Sequence, residues 1–155
     1  MLKETKTEER LNRHKITQED FTPENLVEGL FAHVPEDVFT DFTKTVLDPA
    51  CGTGNIINYV LARRLEHTET PEQAIEALST LHGVELMADN VEENKEIIRR
   101  MLVERYPGID MVAVDQVLDR NIVCGDAFTT LCQSTAQCLS PSHAHEVDTF
   151  ARKYT

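Results

Sequence analysis

Apolar residues recur at helical spacing along much of the chain, and short β-branched runs interrupt them. Leu26, Val27, Leu30, Phe31 and Val34 form the first stripe. Thr22 can cap that helix, Pro23 suits its first position, and Phe21 sits where a hydrophobic staple would reach Leu26. Pro35 then ends it. Thr45-Val46-Leu47 reads as a buried strand that stops at Asp48-Pro49. Ile57, Leu61 and Leu65 share one face of a helix expected over 55–66, and Thr70-Pro71-Glu72-Gln73 is a capping box opening another helix through Leu78. Residues 81–86 read as the second strand. A longer helix follows, capped by Asp89 or Asn90, with Ala88, Val91, Ile98 and Met101 aligned and Glu96 paired with Arg100. Tyr106-Pro107-Gly108 terminates it. A minor strand is expected at 111–114, and Asn121-Ile122-Val123-Cys124 is the third strand, ending in Gly125-Asp126.

This pattern sets the expected organisation. Residues 1–20 are charged with little periodicity and read as a flexible or weakly helical arm; 21–128 form an α/β domain; 129–155, rich in Thr, Ser, Gln, Cys and His, read as a loose helix or tail. A chain of 155 residues with 41% hydrophobic content can bury a real core. No apolar run approaches the roughly 20 residues of a membrane span, and the charged start is unlike a signal peptide, so no membrane contact and a cytoplasmic location are expected. The four cysteines, Cys51, Cys124, Cys132 and Cys138, form no CxxC pair. Cys132, Cys138, His143 and His145 match no standard zinc spacing, so no metal site is expected. The net charge of −12 repels phosphate backbones, which makes the chain alone a poor nucleic-acid binder.

One stretch carries chemistry. Asp48-Pro49-Ala50-Cys51-Gly52-Thr53-Gly54-Asn55 joins a strand to a helix, and two glycines there let the backbone turn tightly beneath a ligand at the helix N-terminus. The third small residue of a dinucleotide fingerprint is replaced by Ile57, and no Gly-Lys-Ser/Thr follows to make a P-loop. Cys51 reads as a small packed residue, since no histidine stands in a recognisable relation to it.

These residues resemble motif I of S-adenosylmethionine-dependent methyltransferases, and the Asp-Pro-Ala-Cys-Gly-Thr-Gly-Asn spelling is similar to the DNA adenine-N6 branch, including restriction-modification enzymes. His82-Gly83-Val84-Glu85-Leu86 resembles motif II, Asn121 to Phe128 resembles motif III, and Phe21-Thr22-Pro23 resembles motif X. The resemblance implies a Rossmann-like fold of which only the first half is present, strands in the order 3-2-1. It also implies S-adenosyl-L-methionine as cofactor. Its binding residues would be Phe21, Thr22, Pro23, Asp48, Ala50, Gly52, Gly54, Asn55, Glu85, Leu86, Asp126, Ala127 and Phe128.

Residue chemistry suits these roles while leaving plainer ones open. Glu85 at a strand tip can accept from the ribose diol, or serve as a helix-entry charge. Asp126 can accept from the adenine amine, with the Ala127 amide near a ring nitrogen and Phe128 packed beside it, or Gly125-Asp126 is a strand-ending turn. Asp48 faces the cationic methionine end, or caps its loop. Helix capping accounts for Thr22 and Pro23 without a ligand.

The family's motif IV, Asp or Asn followed by Pro-Pro and an aromatic, has no counterpart: no Pro-Pro occurs, and Ser140-Pro141-Ser142 is the closest text. No catalytic residue is therefore expected, and the chain should not methylate DNA alone. A sheet ending at its first strand should seek self-association or a protein partner that completes it, with DNA reached only through that partner. The alternative is a catalytically silent acidic decoy acting on a restriction-modification subunit or another protein.

Overall fold

The computed structural model of the protein describes residues 22–130. The chain divides into two compact units at the junction of Val34 and Pro35. In the first, α1 (Glu24–Phe31) buries Val27 and exposes Leu26 and Leu30, so the expected stripe is only partly inward. Pro23 is the N-cap and not the first helical residue. Its extended backbone keeps it outside the helix, and its carbonyl accepts from the amides of Leu26 at 2.9 Å and Val27 at 3.1 Å. The expected Thr22 cap is thus displaced by one position. The helix also ends a turn before Pro35, where the amides of Ala32 and Val34 donate to the carbonyls of Gly29 and Phe31 in i,i+3 bonds. The expected Phe21 staple lies outside the described residues.

The second unit is mixed α/β. It runs α2 (Asp37–Thr40), β1 (Val46–Asp48), α3 (Asn55–Leu65), α4 (Pro71–Ser79), β2 (Leu81–Glu85), α5 (Ala88–Arg105), α6 (Met111–Asn121) and β3 (Ile122–Cys124). The three strands form one parallel sheet in the order β1-β2-β3, with Val46 opposite Leu81 and Gly83 opposite Ile122. This is the expected 3-2-1 order read from the other edge. Two helices fill each crossover, as expected for the first, whereas in the second the connection before β3 is helical instead of a loop with a minor strand. No helix among the described residues is long and apolar enough to cross a membrane.

The core lies between the sheet and its helices. Ile57, Val60, Leu61 and Leu65 of α3, Val91, Ile98 and Leu102 of α5, and Val114, Val117 and Leu118 of α6 are buried with Leu81, Val84 and Ile122 of the strands. Each such side chain contributes about 1.5–3 kcal/mol by leaving water. At the head of α4 the Thr70 hydroxyl accepts the Gln73 amide at 3.3 Å, and the Gln73 side-chain oxygen accepts the Glu69 amide at 2.7 Å, a capping box closed one residue further out than usual.

Three expectations are corrected by side-chain chemistry. Residues 111–114 are helical, because the Asp110 carboxylate accepts from the Val112 and Ala113 amides and buries Val114, Val117, Leu118 and Asn121 at helical spacing. Asn121 accordingly closes α6, and the strand begins at Ile122. At α5 neither Asp89 nor Asn90 is the cap: Met87 holds that position. The inward stripe is Asn90, Val91, Asn94, Lys95, Ile98 and Leu102, with Ala88 exposed and Met101 half-buried. The ion pair of Glu96 goes to Arg99 at 3.6 Å, and Arg99 also meets Asp115 at 2.8 Å, tying α5 to α6.

The amino end of the sheet is fastened by Arg64. Its guanidinium is fully buried and donates to the carbonyls of Val38 (3.0 Å), Ala77 (2.9 Å) and Lys44 (2.7 Å) and to the Thr80 hydroxyl (2.7 Å). Thr80 passes the link on to the Phe42 carbonyl at 2.9 Å. One side chain on α3 therefore ties the segment entering β1 to the end of α4. Asn121 repeats the device beside it, donating to the carbonyls of Ser79 and Leu81 at 2.8 and 3.0 Å.

Candidate functional site

The carboxyl end of the sheet is built differently. After β1 the Asp48 carboxylate accepts the Ala50 amide at 3.1 Å, turning the chain into the segment Cys51 to Gly54. The Cys51 amide donates to the Val84 carbonyl at 3.0 Å, so the segment starts as an extension of the sheet. It then leaves it sharply: Gly52 and Gly54 have φ of +53° and +89°, and the Gly54 amide closes back on the Cys51 carbonyl at 2.7 Å. A side chain at Gly54 would be strained by that φ, and its Cβ would lie 2.1 Å from Asn94 Oδ1. Below the loop a Cβ at Gly83 of β2 would lie 2.7 Å from Ile57 and 2.8 Å from Cys51 Sγ. The glycines thus permit two close packings, loop on α5 and strand on α3.

Glu85 joins this elbow to the next strand. Its Oε2 accepts the Gly52 amide at 2.9 Å, and its Oε1 accepts the Met87 amide at 2.8 Å and the Asn90 side-chain amide at 3.4 Å. The carboxylate is 9% exposed and retains acceptor capacity beyond these bonds. Glu85 thus takes the helix-entry role at α5, through the Met87 amide and the Asn90 side chain, and it also braces the glycine turn. The third strand reaches the same end, where the Gly125 amide donates to the Glu85 carbonyl at 2.9 Å. Asp126 then caps a helical turn at 127–130 through the amides of Phe128 (2.8 Å) and Thr129 (3.3 Å), which is its turn-forming reading.

Of the expected site residues, Asp48 and Glu85 are the last residues of β1 and β2, and Ala50, Gly52, Gly54, Asn55, Leu86, Asp126, Ala127 and Phe128 all fall on the segments that follow the carboxyl ends of the three strands. Thr22 and Pro23 precede α1 in the other unit, and Phe21 lies outside the described residues. Leu86 is 64% exposed and Phe128 86% exposed, two large apolar groups that this end of the sheet leaves in water. The helix α3 starts at the elbow with Gly54 as N-cap and without a side-chain cap bond, so it presents amide donors and the positive end of its dipole there.

Electrostatics sharpen the picture. Burial, with the Glu85 charge adding to it, pushes the Asp48 carboxyl above its usual range, although the Ala50 amide opposes this. Burial and the same two carboxylates push the Cys51 thiol up to about 12, which makes it inert as a nucleophile. Among the described residues no group of His, Cys, Asp and Glu is arranged to hold a metal ion.

Two features escaped the sequence pattern. Asn58 and Asn94 have side-chain oxygens that are buried and without hydrogen-bond partners, the sole such atoms among the described residues. Their amide nitrogens meanwhile hold the elbow, Asn58 Nδ2 donating to the Thr53 carbonyl at 3.2 Å and Asn94 Nδ2 to Cys51 Sγ at 3.8 Å. An orphaned buried acceptor costs about 1–3 kcal/mol. A polar residue recurring on an otherwise apolar helix face, as Asn90, Asn94 and Lys95 do on α5, was the available signal.

Compared with protein-family models, with curated proteins and with solved structures, the chain finds no match.

Proposed function

We propose that the chain binds S-adenosylmethionine in a Rossmann-like half fold and serves as the cofactor-binding half of a DNA adenine-N6 methyltransferase. The observation that carries this reading is the bond from the Gly52 amide to Glu85. It brings a positive-φ glycine turn, an uncapped helix N-terminus and a strand-tip acid to one point. Such a point suits a nucleoside carrying an amino-acid tail. Glu85 would accept from the ribose diol with its remaining lone pairs, and the α3 amides would face the tail carboxylate. Asp48 would face the cationic sulfonium and ammonium groups. Leu86 and Phe128 would cover the adenine, whose burial would remove their exposed apolar surface from water. When bound, the cofactor supplies an activated methyl group. The chain's own residues hold and orient it.

No Pro-Pro-aromatic segment is present to hold a flipped adenine, so the chain by itself should leave DNA unmethylated. β1 is the outer strand among the described residues, and Leu47 on it is 45% exposed. That edge favours a protein partner or a second copy that extends the sheet and brings DNA to the cofactor. The same edge, with the charge of −12, supports the second reading of an acidic interaction protein.

Calorimetric titration separates the two. The cofactor reading expects saturable heat with S-adenosylmethionine that Glu85→Ala abolishes; a flat titration of the folded protein, or an unchanged one for the variant, leaves the interaction reading standing.

A further inference from the structure

The elbow is held by groups of opposite condition. Glu85 is engaged with the Gly52 and Met87 amides. Asn58 and Asn94 each spend an amide N–H on the segment and keep a buried carbonyl with nothing to accept. Asn94 is fully buried and lies so close to Gly54 that no side chain fits between them. Asn58 follows Gly54 by one helical turn, its backbone amide donating to the Gly54 carbonyl at 2.7 Å. The two idle oxygens, one on α3 and one on α5, therefore belong to side chains that hold the same short loop.

An acceptor left empty in one state of a loop gains a partner where a second state turns a donor toward it. Elbow amides supply such donors. The Gly52 amide is held by Glu85 alone, and a ligand whose hydroxyls claim that carboxylate competes for the same oxygen.

We propose that Asn94, assisted by Asn58, is a positioning residue of the ligand site: it costs stability in the empty protein and recovers it when the occupied elbow turns an N–H toward its carbonyl. This rests on the cofactor reading for the identity of the ligand, but not for the behaviour of the loop. It makes the elbow a two-position element. Glu85 and the asparagine N–H groups hold one position, and the asparagine carbonyls select the other.

The direction of the effects distinguishes this from a purely structural role. Asn94→Leu removes the idle acceptor together with the long 3.8 Å N–H contact to Cys51 Sγ, and keeps the branched outline. Asn58→Leu does the same from α3, where the side chain does not press on a glycine, and it keeps the test alive should Asn94→Leu fail to fold. Both variants are made in the full chain with Cys124, Cys132 and Cys138 changed to Ser, so that buried Cys51 is the remaining thiol and its alkylation by N-ethylmaleimide reports elbow opening. The expected result is an equal or higher Tm, Cys51 alkylation slowed severalfold, and S-adenosylmethionine affinity lowered tenfold or more. A lower Tm with faster alkylation in Asn58→Leu overturns the proposal, since the amides would then be simple clamps. So does affinity within twofold of the parent in a folded variant. If the parent protein itself binds no S-adenosylmethionine, the cofactor reading fails, while the melting and alkylation measurements still decide the behaviour of the elbow.

Discussion

The two ends of the parallel sheet use buried polar groups in contrasting ways. At the amino end Arg64 makes four hydrogen bonds and Asn121 donates twice into the adjoining carbonyls. At the carboxyl end two asparagine oxygens have no partner, a helix begins without a side-chain cap, a carboxyl is pushed up by its surroundings, and Leu86 and Phe128 stand in water. One end is saturated and the other is left with valences to spare. Satisfied and unsatisfied polar groups are thus segregated along the strands, and under the proposed reading a ligand is expected where satisfaction is incomplete.

The largest effect is expected at the amino end. Arg64→Leu strips donors from three carbonyls and a hydroxyl, and a loss of about 3–5 kcal/mol in urea unfolding is expected, the range for breaking a buried charged network. A loss under 1 kcal/mol would show that the hub is dispensable. Gly54→Ala comes next, costing roughly 1–3 kcal/mol for the positive φ alone, with further cost from the contact with Asn94. Unlike Arg64→Leu, it should also erase ligand heat in protein that remains folded.

Asp48→Asn sharpens the contrast in the opposite sense. A carboxyl whose folded pKa lies above its unfolded value binds its proton more tightly in the folded state, so its ionisation weakens folding as pH rises past the ordinary carboxylate range. The asparagine variant should therefore be more stable than the parent at pH 7, and the gap should close as pH falls below about 4. Urea midpoints across pH 3–8 would show it, and a gap that widens towards acid refutes the assigned environment. Phe128→Ser should have the smallest effect on folding, within about 0.5 kcal/mol, because the ring is already in solvent. Its effect should fall on nucleoside affinity.

Local signals explain what the sequence reveals. The elbow is legible because positive φ demands glycine at a strand-to-helix joint, and the α4 start is legible because Thr70 and Gln73 each answer an orphan amide. The strands are legible as short runs bounded by breakers. Helix α6 was hidden because Met111-Val112-Ala113-Val114 reads as strand unless the Asp110 cap is given weight. Arg64, Asn58 and Asn94 were hidden for a deeper reason. Long-range partners such as the Lys44 carbonyl and the Cys51 thiol decide whether a polar residue on a helix faces inward, and no local period encodes them.

The parallel register has a kinetic corollary. Val46 meets Leu81, and Gly83 meets Ile122, only after a pair of helices has been laid down between them, so no hairpin can start this sheet. The middle strand reaches β1 across α3 and α4 and is reached by β3 across α5 and α6, so docking of these helices has to offset the loop-closure entropy. A ribosome emitting this chain would release the glycine turn well before the acid that braces it, so the turn stays unbraced until the second strand has emerged.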